Sequence, residues 1–318
     1  MADKHAWKLD RRLLLMGGVA AGAAAALTSP ASVTPAMAAL PENQFKPVPM
    51  PPLPPFKEGI AEIPGTKLYY RDFGGDGVPL VLMHPATGSA LMWGYQVPAF
   101  VKAGYRVIAY SRRGYYKSET VADKNNAGQP STDLRNLMDK LGIGKFCIVA
   151  TAAGCTITLD FAMDHSDRLH AIAISSGSLG NLEEPEYKKA SEAVRTKGLD
   201  EMPPEFRELG PAYRAVNFEG TKEWVELEHK AINGNRLGPT NVNKFTWATL
   251  ARVKCPTLFI AGGSDLAAPP TMMRIAAEHV ANAEMVISPN TGHSVYWEQP
   301  DFFNNSILEF FGRNTKKG

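Results

Sequence analysis

The feature that most restricts the fold is a regular alternation of short apolar runs with helical patterns, from about residue 60 to residue 313. The runs cover residues 79–84, 105–111, 146–150, 169–175, 256–261 and 284–288. Near-continuous apolar runs of this length are those of strands covered on both faces, and parallel strands need crossovers, usually helical, between them. Helical patterns fall at 90–103, 133–141, from the end of the third run to about 165, 270–281, and from about 300 onward. The second of these has Leu134, Leu137, Met138 and Leu141 at spacings of three and four, which puts them on one helical face. A shorter pair of strands at 60–63 and 67–73, turning at Pro64-Gly65, precedes the alternation. The expected class is α/β, a mostly parallel, doubly wound sheet.

Residues 178–250 interrupt the pattern. They carry charged helical runs at 183–197 and 219–233 and the residues Phe206, Leu209, Tyr213, Phe218, Trp224, Phe245 and Trp247. A helical insertion after the sixth strand, so placed, reads as a lid over the edge where open α/β sheets bind ligands. The expected organisation is thus a core of residues 59–177 and 251–318 with a lid or cap at 178–250. Trp93, Thr151, Trp224 and Trp247 are substrate-pocket candidates, set against the alternative that the aromatic residues only pack the lid onto the core.

The N-terminus carries its own message. Arg11-Arg12, a Gly/Ala-rich apolar stretch to Leu27 and a small-residue site at Ala36-Met37-Ala38 resemble a bacterial twin-arginine export signal over residues 1–38. Asp10 stands where that signal usually has Ser or Thr. The apolar stretch is too short and glycine-rich to span about 30 Å of hydrocarbon. The expected location is periplasmic or secreted, with the export machinery as a partner and no integral membrane segment after signal removal. Residues 39–58 follow as a linker: the stretch 41–55 holds seven prolines, which favour an extended chain.

Charge and cysteines bound the rest. The signal contains four of the 34 basic residues and two of the 32 acidic ones, leaving 30 of each. A neutral mature chain offers no electrostatic footprint for nucleic acid. The partner expected is a small-molecule substrate. Cys147, Cys155 and Cys255 are an odd number beside apolar strands, read as buried free thiols, with one disulfide plus a thiol as the alternative.

Several motifs stand in fixed order: His84-Pro85 after a strand, Ser111-Arg112-Arg113-Gly114, Ala150-Thr151-Ala152-Ala153-Gly154 between strand and helix, Gly263-Ser264-Asp265, and Gly292-His293. In this order the chain resembles the α/β-hydrolase fold over residues 60–313. It looks closest to the branch of haloperoxidase-like esterases, epoxide hydrolases and carbon–carbon bond hydrolases. The resemblance implies a nucleophile elbow at 150–154, a triad acid at Asp265, a triad base at His293, and oxyanion-hole amides at Ala86 and Ala153. Pro85 replaces the usual Gly of that hole, and Ser111 and Tyr116 replace the usual Asp and Gly of the next motif. The other histidines, His84 among them, have no comparable setting.

At the elbow tip, where the family places serine, the chain has Ala152. A methyl group cannot attack a carbonyl. Three readings stay open. In one, His293 activates water or takes a proton from substrate, and a small ester, lactone or activated carbonyl compound is hydrolysed without a covalent intermediate. In another, the protein is a catalytically degenerate small-molecule binder. In the third, it is an esterase whose nucleophile was replaced. No metal is expected, since no H-E-x-x-H motif or Cys/His cluster appears, and no cofactor, since no G-x-G-x-x-G follows a strand.

Overall fold

The computed structural model describes residues 47–120, 127–177, 179–234 and 240–315. The export signal and the first part of the linker lie outside the described residues. Eight strands form one sheet in the order β1-β2-β4-β3-β5-β6-β7-β8. They are β1 (Lys57–Ile63), β2 (Thr66–Asp72), β3 (Pro79–Met83), β4 (Arg106–Tyr110), β5 (Phe146–Thr151), β6 (Leu169–Ser175), β7 (Thr257–Gly262) and β8 (Ala283–Ser288). The β1–β2 and β2–β4 pairings are antiparallel, and every other pairing is parallel. The sheet is the mostly parallel one that the apolar runs predict. The core begins at Lys57, two residues inside the expected linker, because both Lys57 and Glu58 pair with β2.

The apolar runs are continuous because each strand feeds two cores. Along β3, Val81 and Met83 face one cluster while Leu80 and Leu82 face the other. The same alternation recurs in β5, with Ile148 and Ala150 against Cys147 and Val149. The first cluster is closed by α2 (Pro130–Lys140), α3 (Ala153–His165) and α9 (Pro270–Glu278); the second by α1 (Gln96–Lys102) and α11 (Pro300–Asn314). The helix α1 is shorter than the expected 90–103, since residues 86–94 form turns ahead of it.

Between β6 and β7 the chain forms α4 (Pro185–Val194), α5 (Pro204–Glu208), α6 (Pro211–Val216), α7 (Phe218–His229) and α8 (Trp247–Leu250). Four of these short helices start on or next to a proline, whose fixed φ suits the first turn, or on an Asn217 cap: α4, α5 and α6 use proline, α7 the cap. Proline-rich residues 47–56 adopt no regular element. They nevertheless lie against the body: Tyr95 Oη donates to the Val48 carbonyl at 2.7 Å, and Met50 packs on the second cluster. The three cysteines are free and buried. Among the described residues no helix is long and apolar enough to cross a membrane.

Strand order reverses between β3 and β5, so the chain leaving β3 and the chain leaving β5 turn to opposite sides. The crevice at such a switch point is where open α/β sheets bind ligands. His84 follows β3 and Ala152 follows β5, which puts both at that crevice. The last helix to bear on it is the short α10 (Val295–Glu298), directly after His293.

Candidate active site

Ala152 holds the conformation of a strained elbow, with φ 50° and ψ −117°. This is far from the left-handed region that non-glycine residues occasionally visit, and such backbone costs about 1–3 kcal/mol. The surroundings hold it in place. Its N–H donates to the Ser175 carbonyl at 2.9 Å, and its own carbonyl accepts from Cys155 N at 3.0 Å. The Cys155 thiol also donates to the Ser175 carbonyl, at 3.1 Å. Gly154 lets the helix start against β3, because a Cβ there would lie 2.5 Å from the Met83 carbonyl oxygen. The elbow is therefore built by its frame, with or without a hydroxyl. Ala152→Gly should accordingly stabilise the protein by about 1 kcal/mol, since glycine adopts this φ freely and gives back part of the strain as unfolded-chain entropy. Chemical denaturation measures it, and a loss of stability would mean that the turn is unstrained.

His293 and Asp265 form a hydrogen-bonded pair. His293 Nδ1–H donates to Asp265 Oδ2 at 2.8 Å, with Oδ1 at 3.0 Å. Asp265 is fixed in turn by the amides of Ala267 and Ala268, both 2.8 Å from Oδ1. With Nδ1 so engaged, the other ring nitrogen, Nε2, is the one left for substrate. The two carrier loops are laced together by Gly263 N to Ser288 O and Ser264 N to Thr291 O, both at 2.8 Å. Gly262 permits that approach, since a Cβ would fall 1.9 Å from the Gly292 carbonyl oxygen.

Two carboxylates that sequence reasoning missed complete the surroundings of His293. Glu208, from α5, is buried and accepts from Thr87 Oγ1 at 3.2 Å and Ser294 Oγ at 3.4 Å. Its carbonyl also accepts from Ser294 N at 2.8 Å. Glu298, from α10, accepts from Gly292 N at 3.0 and 3.1 Å. Burial pushes its carboxyl up to about 8, against the amides of Gly292 and Gly210, which favour the ionised form. For His293 burial alone favours the neutral ring, but the charges of Asp265, Glu208 and Glu298 together outweigh it and raise the pKa to about 9. No local pattern marks either glutamate, because each reaches the histidine through tertiary contact.

The oxyanion candidates sit where the motifs put them. Ala153 is the first residue of α3, and the leading amides of a helix have no intrahelical acceptor. Ala86 lies in the turn after β3, and both residues are half-buried. His84, a histidine without a role in the sequence motifs, organises that turn. Arg112 N donates to His84 Nε2 at 3.0 Å, which leaves Nδ1–H to donate to the Pro85 carbonyl at 2.7 Å. Burial, and secondarily the Arg112 charge, hold His84 well below the usual imidazole range, so it stays neutral. The Arg112 guanidinium donates to the same Pro85 carbonyl at 3.0 Å and stacks on Tyr115.

The pocket candidates divide. Trp93 and Trp224 are buried and converge on Tyr296, three residues beyond His293: the Trp93 ring lies 5.3 Å away, and Trp224 Nε1 donates to Tyr296 Oη at 3.4 Å. Thr151 is buried beside the elbow tip. Trp247 does not join them. It stacks on His279 at 3.6 Å and meets Tyr187 edge-on, so it fastens the insertion to α9. Its aromatic surface is used for packing, the alternative considered from the sequence. Burial pushes the Cys155 thiol far above its usual range, which leaves it inert as a replacement nucleophile. A cavity of about 500 Å³ beside Phe56, Phe73 and Arg106 opens at the start of β4, the end of the parallel strands away from this site.

Comparison with known proteins agrees with this fold. A family model described as alpha/beta hydrolase fold matches residues 78–300. Over 268 residues the chain is 25% identical to a 2-hydroxy-6-oxononadienedioate/2-hydroxy-6-oxononatrienedioate hydrolase of Burkholderia vietnamiensis, covering 78% of this chain and 93% of that protein. Among solved structures it is similar to a bromoperoxidase from Bacillus anthracis, with TM-score 0.65 and 23% identity over 80% of this chain and 100% of the other. It is also similar to the enol-lactonase from Burkholderia xenovorans LB400, with TM-score 0.63 and 24% identity over the same shares, 80% and 100%.

Proposed function

This chain belongs to the α/β-hydrolase fold family, and from that premise we propose that it is an exported enzyme that hydrolyses a small ester, lactone or activated carbonyl compound without a covalent intermediate. The observation that carries the reading is the Asp265–His293 pair at 2.8 Å, retained in a chain whose elbow tip is Ala152. A family member that had lost all chemistry would have no use for a buried carboxylate fixed by two amides. In the proposed reaction neutral His293 takes a proton from water, the water oxygen adds to the substrate carbonyl, and the amides of Ala153 and Ala86 receive the developing oxyanion. The imidazolium then returns the proton to the leaving group. General-base catalysis supplies about 10²–10⁴-fold and one oxyanion donor on the order of 10²–10³. Such a total suits a reactive carbonyl and falls short for an amide. Export rests on residues 1–38 of the sequence alone.

The raised His293 pKa gives the reading a signature. Only neutral imidazole accepts a proton, so kcat/KM should climb about tenfold per pH unit below about 9 and level off above it. The carboxyl groups facing the ring are Asp265, Glu208 and Glu298, the last ionising only near pH 8. Glu208→Gln removes one negative charge, favours the neutral ring and should move the rise to lower pH. A flat profile between pH 6 and 9 would remove His293 from the base role.

A second reading is also open. An elbow with no nucleophile at its tip suits a binding protein for a small molecule. Assay of the chain and of His293→Ala on a panel of lactones and activated esters separates the two: turnover that disappears in His293→Ala supports the enzyme, and binding without turnover in either supports the binder.

A further inference from the structure

Beside Asp265 a cavity of about 340 Å³ opens between the insertion and the loop after β7. That size falls within the range of small-molecule pockets, about 300–1,000 Å³. Its walls are Phe206, Leu209, Pro211, Leu266, Pro269 and Pro270, with Arg207 and Arg214 among them. Phe206 and Leu266 are large apolar side chains left exposed, at 49% and 40%, although apolar partners stand beside them.

The charges are unbalanced. Arg207 Nε is shielded from solvent and has no hydrogen-bond partner among the described residues. A guanidinium nitrogen in that state is costly, since the group gives up water and receives nothing for it. Arg214 is held by carbonyl oxygens, the Leu209 carbonyl at 2.5 Å among them, and lies over the Phe206 ring at 4.2 Å. Its charge acts on the Glu298 carboxyl without a direct ion pair. The only acid in the lining, Asp265, is turned inward: its side chain has no exposure and is committed to His293. Two arginines therefore border an apolar groove whose one lining acid is committed to His293.

We propose that this groove is a second binding site, for a monocarboxylate with an apolar body such as a medium-chain alkanoate. A guanidinium edge meets a planar carboxylate with two parallel hydrogen bonds, and Arg207, whose Nε has no partner among the described residues, lines the groove. The proline, leucine and phenylalanine walls take the chain. A phosphate dianion matches the charge and leaves those walls wet, so the carboxylate is the better fit. The assignment is independent of whether Ala152 and His293 turn over a substrate.

The test is calorimetric titration of the full chain with octanoate and with octanol. Octanoate should bind saturably and octanol at least about tenfold more weakly, the step that one charged hydrogen-bond pair supplies. Arg207→Gln should weaken octanoate by about the same factor, while His293→Ala leaves it unchanged. Leu266→Trp, which crowds the groove and retains Arg207, should also weaken it and serves if Arg207→Gln fails to fold. Absence of saturable octanoate binding, equal binding by Arg207→Gln or Leu266→Trp, or loss of binding in His293→Ala would each overturn the assignment.

Discussion

Ala152→Ser is expected to create a serine esterase: labelling by a fluorophosphonate, absent in the chain as it stands, and hydrolysis of p-nitrophenyl esters well above the parent. The elbow already has the backbone torsions that present a side chain at its tip. The base is already paired with its acid at 2.8 Å. The frame that holds the turn consists of backbone contacts to Ser175 and a glycine at 154, none of which the added hydroxyl touches. Removing a nucleophilic serine from a working triad costs on the order of 10⁶ in kcat. The reverse exchange should recover about 10²-fold or more even in a pocket not shaped for the ester, because orientation and base are already in place. With His293 raised to about 9, the gain should be larger at pH 9 than at pH 7. His293→Ala in the same background should abolish it. If Ala152→Ser remains unlabelled at pH 9, the elbow and His293 do not meet, and the serine-free mechanism falls with them.

Gly292→Ala is expected to damage the site with a single methyl. A Cβ at this position would lie 2.3 Å from Gly210 N and 2.9 Å from both Gly210 Cα and Glu298 Oε1. Backbone cannot yield as a side-chain end can, so the insertion must lift from the loop or the loop must shift beneath it. Overpacking of this kind costs about 1–3 kcal/mol, a fall in Tm of roughly 5–10 °C. Catalysis should suffer more than stability, because His293 is the next residue and an error of about 1 Å in position is worth about 10²-fold. Gly312→Ala is the matched control: it adds the same methyl on α11 with nothing within 4 Å. It should leave activity unchanged and stability equal or slightly higher. Equal melting and turnover for both variants would show that the loop and the insertion are not in close contact in solution.

The core was legible because each strand is covered twice. A run such as Phe146–Thr151 has no polar residue to spare for solvent, so its length and composition announce it. The boundaries of β6 match the sequence reading to the residue for the same reason. Positions of Asp265 and His293 were legible because each follows a strand end, where topology leaves little freedom. The insertion was less so. Its helices are short and proline-started, and their apolar faces are shared with the core, so periodicity separates a packing tryptophan from a pocket tryptophan poorly. Trp247 and Trp224 look alike in sequence, yet one stacks on His279 and the other reaches Tyr296. Glu208 and Glu298 were illegible for a different reason. Their importance lies in contacts with Thr87, Ser294, Gly210 and Gly292 that no spacing rule encodes. His84 was passed over because its partner, Arg112, is 28 residues away.

The torsions at Ala152 have a consequence for how such a protein changes over generations. The turn aims two things at once: a side chain, and the leading amide of α3. Only the first was lost with the hydroxyl, so the turn still has a job and its strain is still worth holding. Alanine and serine codons of the GCN and TCN sets differ by a single base. A lineage carrying this backbone can therefore cross between a covalent and a non-covalent chemistry, in either direction, without passing through an unfolded ancestor.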